Sequence, residues 1–322
     1  MRHTSAYQVH AVGALTCSKG TVPFGPGRPT LLVNDQMGYY CELDDVRAEL
    51  RQGRFDRLMD LLSEGIQAGF RVVNVQLMEP SLDEAALVPE VVALLHETFG
   101  CSIAIDSREP DIVEAALHAY PHKALCNCVT GQREVLETML PVIAAHGAAV
   151  GTALVYEDGV PKTVEERVYV ARRIVEAAEA HGIPRRDVII DAVCLPSAVH
   201  PDSMRVTLQT LAALHRELRV PTLLGISNAG FLMPDSGIID LAYFLAAVSW
   251  GLDVAMIDPR TPLFAHGHRA IDFLAGKDPY AKRFLEHYRA TSGHETPETG
   301  SRPEFSRFGR EVTNSTTVDG HC

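Results

Sequence analysis

Seven short apolar stretches of this sequence end at, or just beside, an Asp or an Asn. The residues are Asn34, Asn74 (with Gln76 two positions on), Asp106, Asn127, Asp191, Asn228 and Asp258. One such residue after a strand is ordinarily a turn former or a helix N-cap. Capping accounts for each position separately, but not for the lack of any Lys or Arg at these strand ends. Carboxylates and carboxamides together suit a neutral, planar heterocycle with amide and amino edges. A carboxylate accepts two parallel N–H bonds from an aminopyrimidinone, and an Asn both donates and accepts. Phosphate recognition would call for Lys, Arg or a Gly-rich nest, and "GISNAG" (225–230) is too weak to serve as one.

Such residues need strands to hold them. Eight β-branched or Leu-rich runs read as strands: 30–34, 70–77, 101–106, 123–127, 148–155, 187–193, 222–227 and 253–258. Amphipathic stretches lie between them. One places Phe55, Leu58, Leu62 and Ile66 at helical spacing, and another opens with a capping box, Thr163 followed by Glu166. Strict βα alternation implies a parallel sheet with right-handed crossovers, and eight strands close a barrel. The expected fold is therefore a single (β/α)8 TIM barrel over 29–290, with an N-terminal extension (1–28) and a polar, disordered tail (291–322). The rival doubly wound sheet lacks its G-x-G-x-x-G fingerprint here. Function in an α/β barrel sits at the C-terminal strand ends. Side chains alternate along a strand, so Asp106 shares a face with Ala104 and Asp191 with Ile189. If Asn127 faces the mouth, Cys126 and Cys128 face the helices.

The remaining composition narrows the classes of function. The chain has 322 residues and a formal net charge of −12, which repels a nucleic-acid backbone. No apolar run reaches the ~18–20 residues of a membrane span, and the first twenty residues lack the apolar core of a signal peptide; cytoplasm is the expectation. The seven cysteines are scattered and do not read as a disulfide framework; several lie inside apolar strands as small buried hydrophobes, and Cys194 reads as a packed thiol. Cys126-x-Cys128 lacks a second ligand pair. His266 and His268 read as a solvated pair, and His200 as a surface residue. No protein-bound metal is expected.

In order and spacing, "SIAIDS", "ALCNCVTG", "HGAAVGTALVYEDGVPKTVEERV", "DVIIDAVCLP" and "LLGISNAG" resemble the pterin-binding methyltransferases. These include the methyltetrahydrofolate–corrinoid methyltransferases, the folate domain of cobalamin-dependent methionine synthase and, more distantly, dihydropteroate synthase. The resemblance covers roughly residues 30–285. It implies that Asp106, Asn127 and Asp191 hold the polar edge of a pterin. It places Asn228 near N5, the atom bearing the methyl group, as the catalytic hydrogen-bonding residue. Asn34, Asn74, Gln76 and Asp258 complete the implied pterin site. It further implies tetrahydrofolate or methyltetrahydrofolate as substrate, cobalamin carried by a partner corrinoid protein, methyl transfer in one-carbon metabolism or methyl-donor demethylation, and a homodimer. Departures are visible. The first strand continues as "LLVNDQM" rather than Glu-Arg-Ile-Asn, and Phe231 stands where corrinoid-linked members carry a polar residue. The alternatives are a non-catalytic pterin- or folate-binding accessory protein and a dihydropteroate synthase-like enzyme.

Overall fold

Runs rich in Val, Ile and Leu suit strands that are covered on both faces, and here they form eight parallel strands closed into a barrel. The structure, a computed structural model, describes residues 12–77, 79–261 and 264–291, without the side chains at 128, 265, 266 and 291. The barrel strands are β3 (Leu31–Asn34), β4 (Val72–Val75), β5 (Ser102–Asp106), β6 (Leu125–Thr130), β7 (Ala149–Ala153), β8 (Val188–Asp191), β9 (Thr222–Gly225) and β10 (Val254–Ile257). Neighbours in the chain are neighbours in the barrel, and β10 closes on β3. The TIM barrel expected from the alternation is thus the fold.

Alternation along each strand divides the core. Val33, Val72, Ala104, Leu125, Ile189 and Val254 fill the lumen, whereas Val73, Ile103, Cys126, Val150, Ile190 and Leu224 pack outward beneath the helices. Those helices are α1 (Met37–Cys41), α2 (Asp44–Leu50), α3 (Asp56–Gln67), α4 (Glu84–Phe99), α5 (Pro110–Ala119), α6 (Arg133–Ala145), α7 (Val164–Ala180), α8 (Ser203–Ala213), α9 (Ser236–Ser249) and α10 (Phe264–Leu274). Local signals set their ends. Thr163 and Glu166 form the capping box that opens α7, each side chain bonded to the other's backbone N–H. Asp83 caps α4, and Pro110, at the first position of α5, needs no hydrogen-bond partner for the N–H it lacks.

The segment before the barrel, which shows no periodic signal in the sequence, folds as a hairpin of β1 (Gly13–Cys17) and β2 (Gly20–Phe24). Leu15, Val22 and Phe24 are buried with the lumen residues, so the hairpin plugs the N-terminal end of the barrel. It is tied there by Thr16 N–H to Lys123 O (3.1 Å), Lys123 N–H to Thr16 Oγ1 (2.8 Å) and Tyr120 OH to Thr16 O (2.8 Å).

The long helical pattern at the C-terminal end of the chain is interrupted. Pro279 is followed by Tyr280 in the left-handed region (φ 61°), and the first compact unit ends at Tyr280. Helix α11 (Lys282–Thr291) belongs to the second unit; of the expected tail (291–322), Thr291 ends this helix and residues 292–322 lie outside the described residues. No described helix is long and apolar enough to cross a membrane. Cys17, Cys41, Cys101, Cys126 and Cys194 are buried and unbridged.

Candidate functional site

At the C-terminal end of the barrel the lumen changes from apolar to polar. Asn74 is flanked by two carboxylates: its Nδ2 donates to Asp35 Oδ1 (2.8 Å) and to Asp106 Oδ2 (3.1 Å). Asn127 Nδ2 donates to the same Asp106 oxygen (3.0 Å) and to Met256 Sδ (3.3 Å). Backbone register brings them together, because Asp106 pairs directly with Asn127 across β5 and β6. The ladder between β6 and β7 then shifts register between Cys126 and Val129, an irregularity of the kind found beside functional sites. On β7 the lumen position facing Asn127 is Gly151; a Cβ there would stand 2.9 Å from Asn127 Oδ1, so the glycine leaves room for the amide.

Asp191 ends β8 with one oxygen accepting Val193 N–H at 2.7 Å. Val193 adopts φ 62°, a conformation that costs a β-branched residue on the order of 1–3 kcal/mol. The loop is held in this shape from behind. Arg167, on α7 and 2 % exposed, donates Nη1 to Ala192 O (2.7 Å) and to Thr207 Oγ1 (3.1 Å), and its Nε to Pro161 O (3.0 Å). Thr207 in turn donates to Val193 O (2.9 Å). In "EERVYVARR" Arg167 reads as a surface helix residue, and nothing in the spacing marks it as buried.

The acids repel one another. Burial, and then the charge of Asp106, push the Asp35 carboxyl up to about 7, against the hydrogen bond from Asn74; Asp191 and Asp258 add to the rise. Asp191 is likewise pushed up to about 7, chiefly by burial, with the Val193 N–H and Arg167 opposing and Asp106 adding. Asp106 Oδ1 and Asn74 Oδ1 are buried with no hydrogen-bond partner among the described residues.

Asp106, Asn127 and Asn74 therefore stand together, with Asp191 near enough for its charge to bear on Asp35 and for that of Asp106 to bear on it. Asn34 stands apart. Val33 faces the lumen, so Asn34 faces outward, where a Cβ at Gly65 of α3 would collide with Asn34 Nδ2; its Oδ1 accepts Gln36 N–H at 3.1 Å. The next residue, Asp35, takes the lumen position, and the sequence reading missed it. Gln76 is partly buried at the start of the loop after β4. Asn228 is exposed in the turn after β9, its Nδ2 donating to Gly225 O at 3.2 Å.

Asp258 is already matched by a cation. Arg260 grips it with Nε (3.0 Å) and Nη2 (2.8 Å), donates to Gln36 Oε1 (2.8 Å) and lies over the Tyr40 ring. This pair lines a cleft of about 430 Å³ shared with Gly230, Phe231 and Met233. A second cleft of about 450 Å³, between the loops after β7 and β8, is lined by Lys162, Arg167, Leu195 and His200. Cys194, pushed up to about 12 by burial, is a packed thiol, as expected. His268 is not solvated: it is buried in α10 with Nε2 3.2 Å from Asp272, because the helix turns it under Phe244 and Phe264. The side chain of His266 lies outside the described residues.

The model of the family described as "Pterin binding enzyme" matches residues 59–258. A methylcorrinoid:tetrahydrofolate methyltransferase of Eubacterium limosum is 22% identical over 201 residues, which is 61% of this chain and 73% of that protein. The methionine synthase of Mycobacterium leprae is 23% identical over 217 residues; these are 63% of this chain but only 18% of that much longer protein. Among solved structures, the dihydropteroate synthase of Yersinia pestis superposes with a TM-score of 0.58 at 17% identity, covering 81% of this chain and 98% of that one. That likeness is one of fold.

Proposed function

We propose, for a chain that belongs to the pterin-binding enzyme family, that it transfers a methyl group between N5 of tetrahydrofolate and a corrinoid carried by a partner protein. The observation that carries this reading is the acid–amide cluster at the barrel mouth, with the buried oxygens of Asp106 and Asn74 left without partners among the described residues. An unpaired acceptor in such a place costs about 1–3 kcal/mol, and a ligand with adjacent N–H donors removes that cost. The 2-amino and N3–H groups of a pterin are such a pair. Asp106 and Asp191 would accept them, and the Asn127 amide would help fix the ring's register.

When bound, the corrinoid supplies a cobalt centre that takes or gives the methyl group. The nitrogen that loses the methyl keeps the bonding pair and takes up a proton. Asn228, in the turn after β9, would hydrogen-bond N5 as that charge changes, stabilising the transition state more than the ground state. Asp35, which titrates near neutrality, would keep an exchangeable proton within the network that runs through Asn74 to Asp106. The loop after Asn228 exposes Phe231 (54 %), Leu232 (71 %) and Met233 (42 %), an apolar rim suited to the face of a corrin ring. The E. limosum relative, a methylcorrinoid:tetrahydrofolate methyltransferase, supports the same pairing of substrates. A dihydropteroate synthase-like reaction would release pyrophosphate, whereas Arg260, the cation that follows β10, is already paired with Asp258.

The test is anaerobic mixing of the protein with methyltetrahydrofolate and chemically reduced cobalamin, followed by absorbance. Enzyme-dependent formation of methylcobalamin is the expected result. Pterin binding without turnover, even with the native corrinoid protein supplied, would leave a non-catalytic binder. No pterin binding would remove the reading altogether.

A further inference from the structure

On the opposite side of the βα units that carry Asp106 and Asn127, the C-terminal ends of two helices bring together three side chains with metal-ligand chemistry. Glu114 and His118 lie one turn apart on α5, on one face of the helix. His146 is the residue that caps α6 at its C-terminal end. One ligand atom from each lies within 4.8 Å of the other two, and the His118 and His146 rings stand 4.6 Å apart between centroids at an interplanar angle of 86°.

We propose that Glu114, His118 and His146 form a binding site for zinc or another late first-row divalent ion. Two imidazoles and one carboxylate select such metals over magnesium or calcium, which prefer all-oxygen shells. Tetrahedral zinc holds its ligands about 3.3 Å apart; Glu114 and His118 are exposed and His146 half-buried, so small side-chain rotations close the remaining distance. The backbone adds a second, independent preference for a cation. The ends of α5 and α6 meet here, and each helix C-terminus carries partial negative charge from unpaired carbonyls. Three protein ligands leave a position for water. The site lies at the floor end of the barrel, where residues serve stability rather than catalysis, so its effect is to staple α5 to α6. A second histidine cluster nearby is of a different kind. His96 and His122 pack edge-on around the Tyr120 ring and serve as an internal control.

The experiment uses the full chain stripped of metal by chelation. Cobalt(II) is titrated in and its ligand-field absorption followed; zinc is then added to displace it, and zinc affinity is measured separately by calorimetry. One equivalent of cobalt with the intense bands of four- or five-coordinate geometry is expected, displaced by zinc. His118→Ala and His146→Ala should each weaken zinc binding tenfold or more, Glu114→Gln less, and His122→Ala not at all. Zinc should raise the melting temperature of the wild type and leave that of the His118→Ala/His146→Ala double variant where it is. Equal uptake by the wild type and the double variant, or no stoichiometric uptake by the wild type, would overturn the proposal. Circular dichroism of the variants reports separately that the barrel has folded, and neither metal readout depends on pterin binding or methyl transfer.

Discussion

At the floor of the barrel three buried carboxylates, Asp187, Asp253 and Asp272, lie within ion-pair reach of a base. Lys123 Nζ is 2.6 Å from Asp187, His215 Nε2 is 3.0 Å from Asp253 with Lys277 at 3.9 Å, and His268 Nε2 is 3.2 Å from Asp272. At the mouth the hydrogen bonds described to Asp35, Asp106 and Asp191 come from amides and a backbone N–H; Arg167 acts on Asp191 through its charge, from behind, and Arg260 goes to Asp258 instead. The same strands run through both ends, so topology does not cause the difference. A paired acid at the floor holds β9 and β10 in register, as Asp253 does by also accepting Thr222 N–H at 3.1 Å. An acid at the mouth with no base in direct contact has hydrogen bonds left to accept, and a ligand can supply them.

The sharpest way to break this comparison is at the floor. Asp253→Ala strands His215 and Lys277, and losing one side of a buried ion pair costs about 3–5 kcal/mol. Urea denaturation should show that loss, while the folded fraction binds tetrahydrofolate with unchanged affinity. A fall in affinity as large as the fall in stability would erase the distinction between the two ends.

The mouth should respond to pH in the opposite sense to ordinary acid denaturation. Asp35 and Asp191 have folded values near 7, above the usual 3.8, so between these limits the folded state holds more protons than the unfolded one. Stability from these groups is complete below about 4 and is lost as pH rises to about 7, then stays level. Asp35→Asn removes one such acid. Melting temperatures should show the variant gaining on the wild type across that window, by a few kcal/mol in order of magnitude. A difference that does not vary with pH would show that Asp35 does not titrate there. Over the same range tetrahydrofolate binding should tighten as pH rises, because the ionised carboxylates are the better acceptors.

Smaller effects follow at single ligand contacts. Asp191→Asn keeps an oxygen for the Val193 N–H but loses the charge, and should weaken tetrahydrofolate binding by about 1–3 kcal/mol in titration calorimetry. Unchanged affinity would remove Asp191 from the site. Asn228→Ala should slow transfer by about fivefold, equivalent to one net hydrogen bond of about 1 kcal/mol, with a smaller change in binding. Equal losses in both would argue against a role confined to the transition state.

Much of the mouth is legible in the sequence because strand parity is. Ile189 is β-branched and precedes Asp191 by two, and Ala104 precedes Asp106 by two, so each acid inherits a lumen position. Parity fails in "LLVND", where two consecutive leucines do not say which faces inward; Asn34 and Asp35 exchange places as a result. The N-terminal hairpin is hidden because its strands are five residues each, include Gly and Pro, and turn at Ser18-Lys19 rather than at an Asn-Gly pair. The histidine–glutamate cluster joins residues from two helices across a barrel strand. Glu114-x-x-x-His118 is a commonplace spacing, and only the fold brings His146 to it.

The hairpin at the floor also imposes an order in time. Residues 13–24 precede every barrel strand in the chain, yet Thr16 bonds to Lys123, 107 residues away, and to Tyr120, 104 residues away. Contacts at such separations form slowly, because the closure entropy of the intervening chain must be overcome first. As synthesis proceeds, Leu15, Val22 and Phe24 remain without their full cover until strands as late as β10 have emerged to supply Ile189, Leu223 and Val254. Those three residues are therefore apolar surface that the growing chain carries uncovered, prone to association with other chains until the plug is seated.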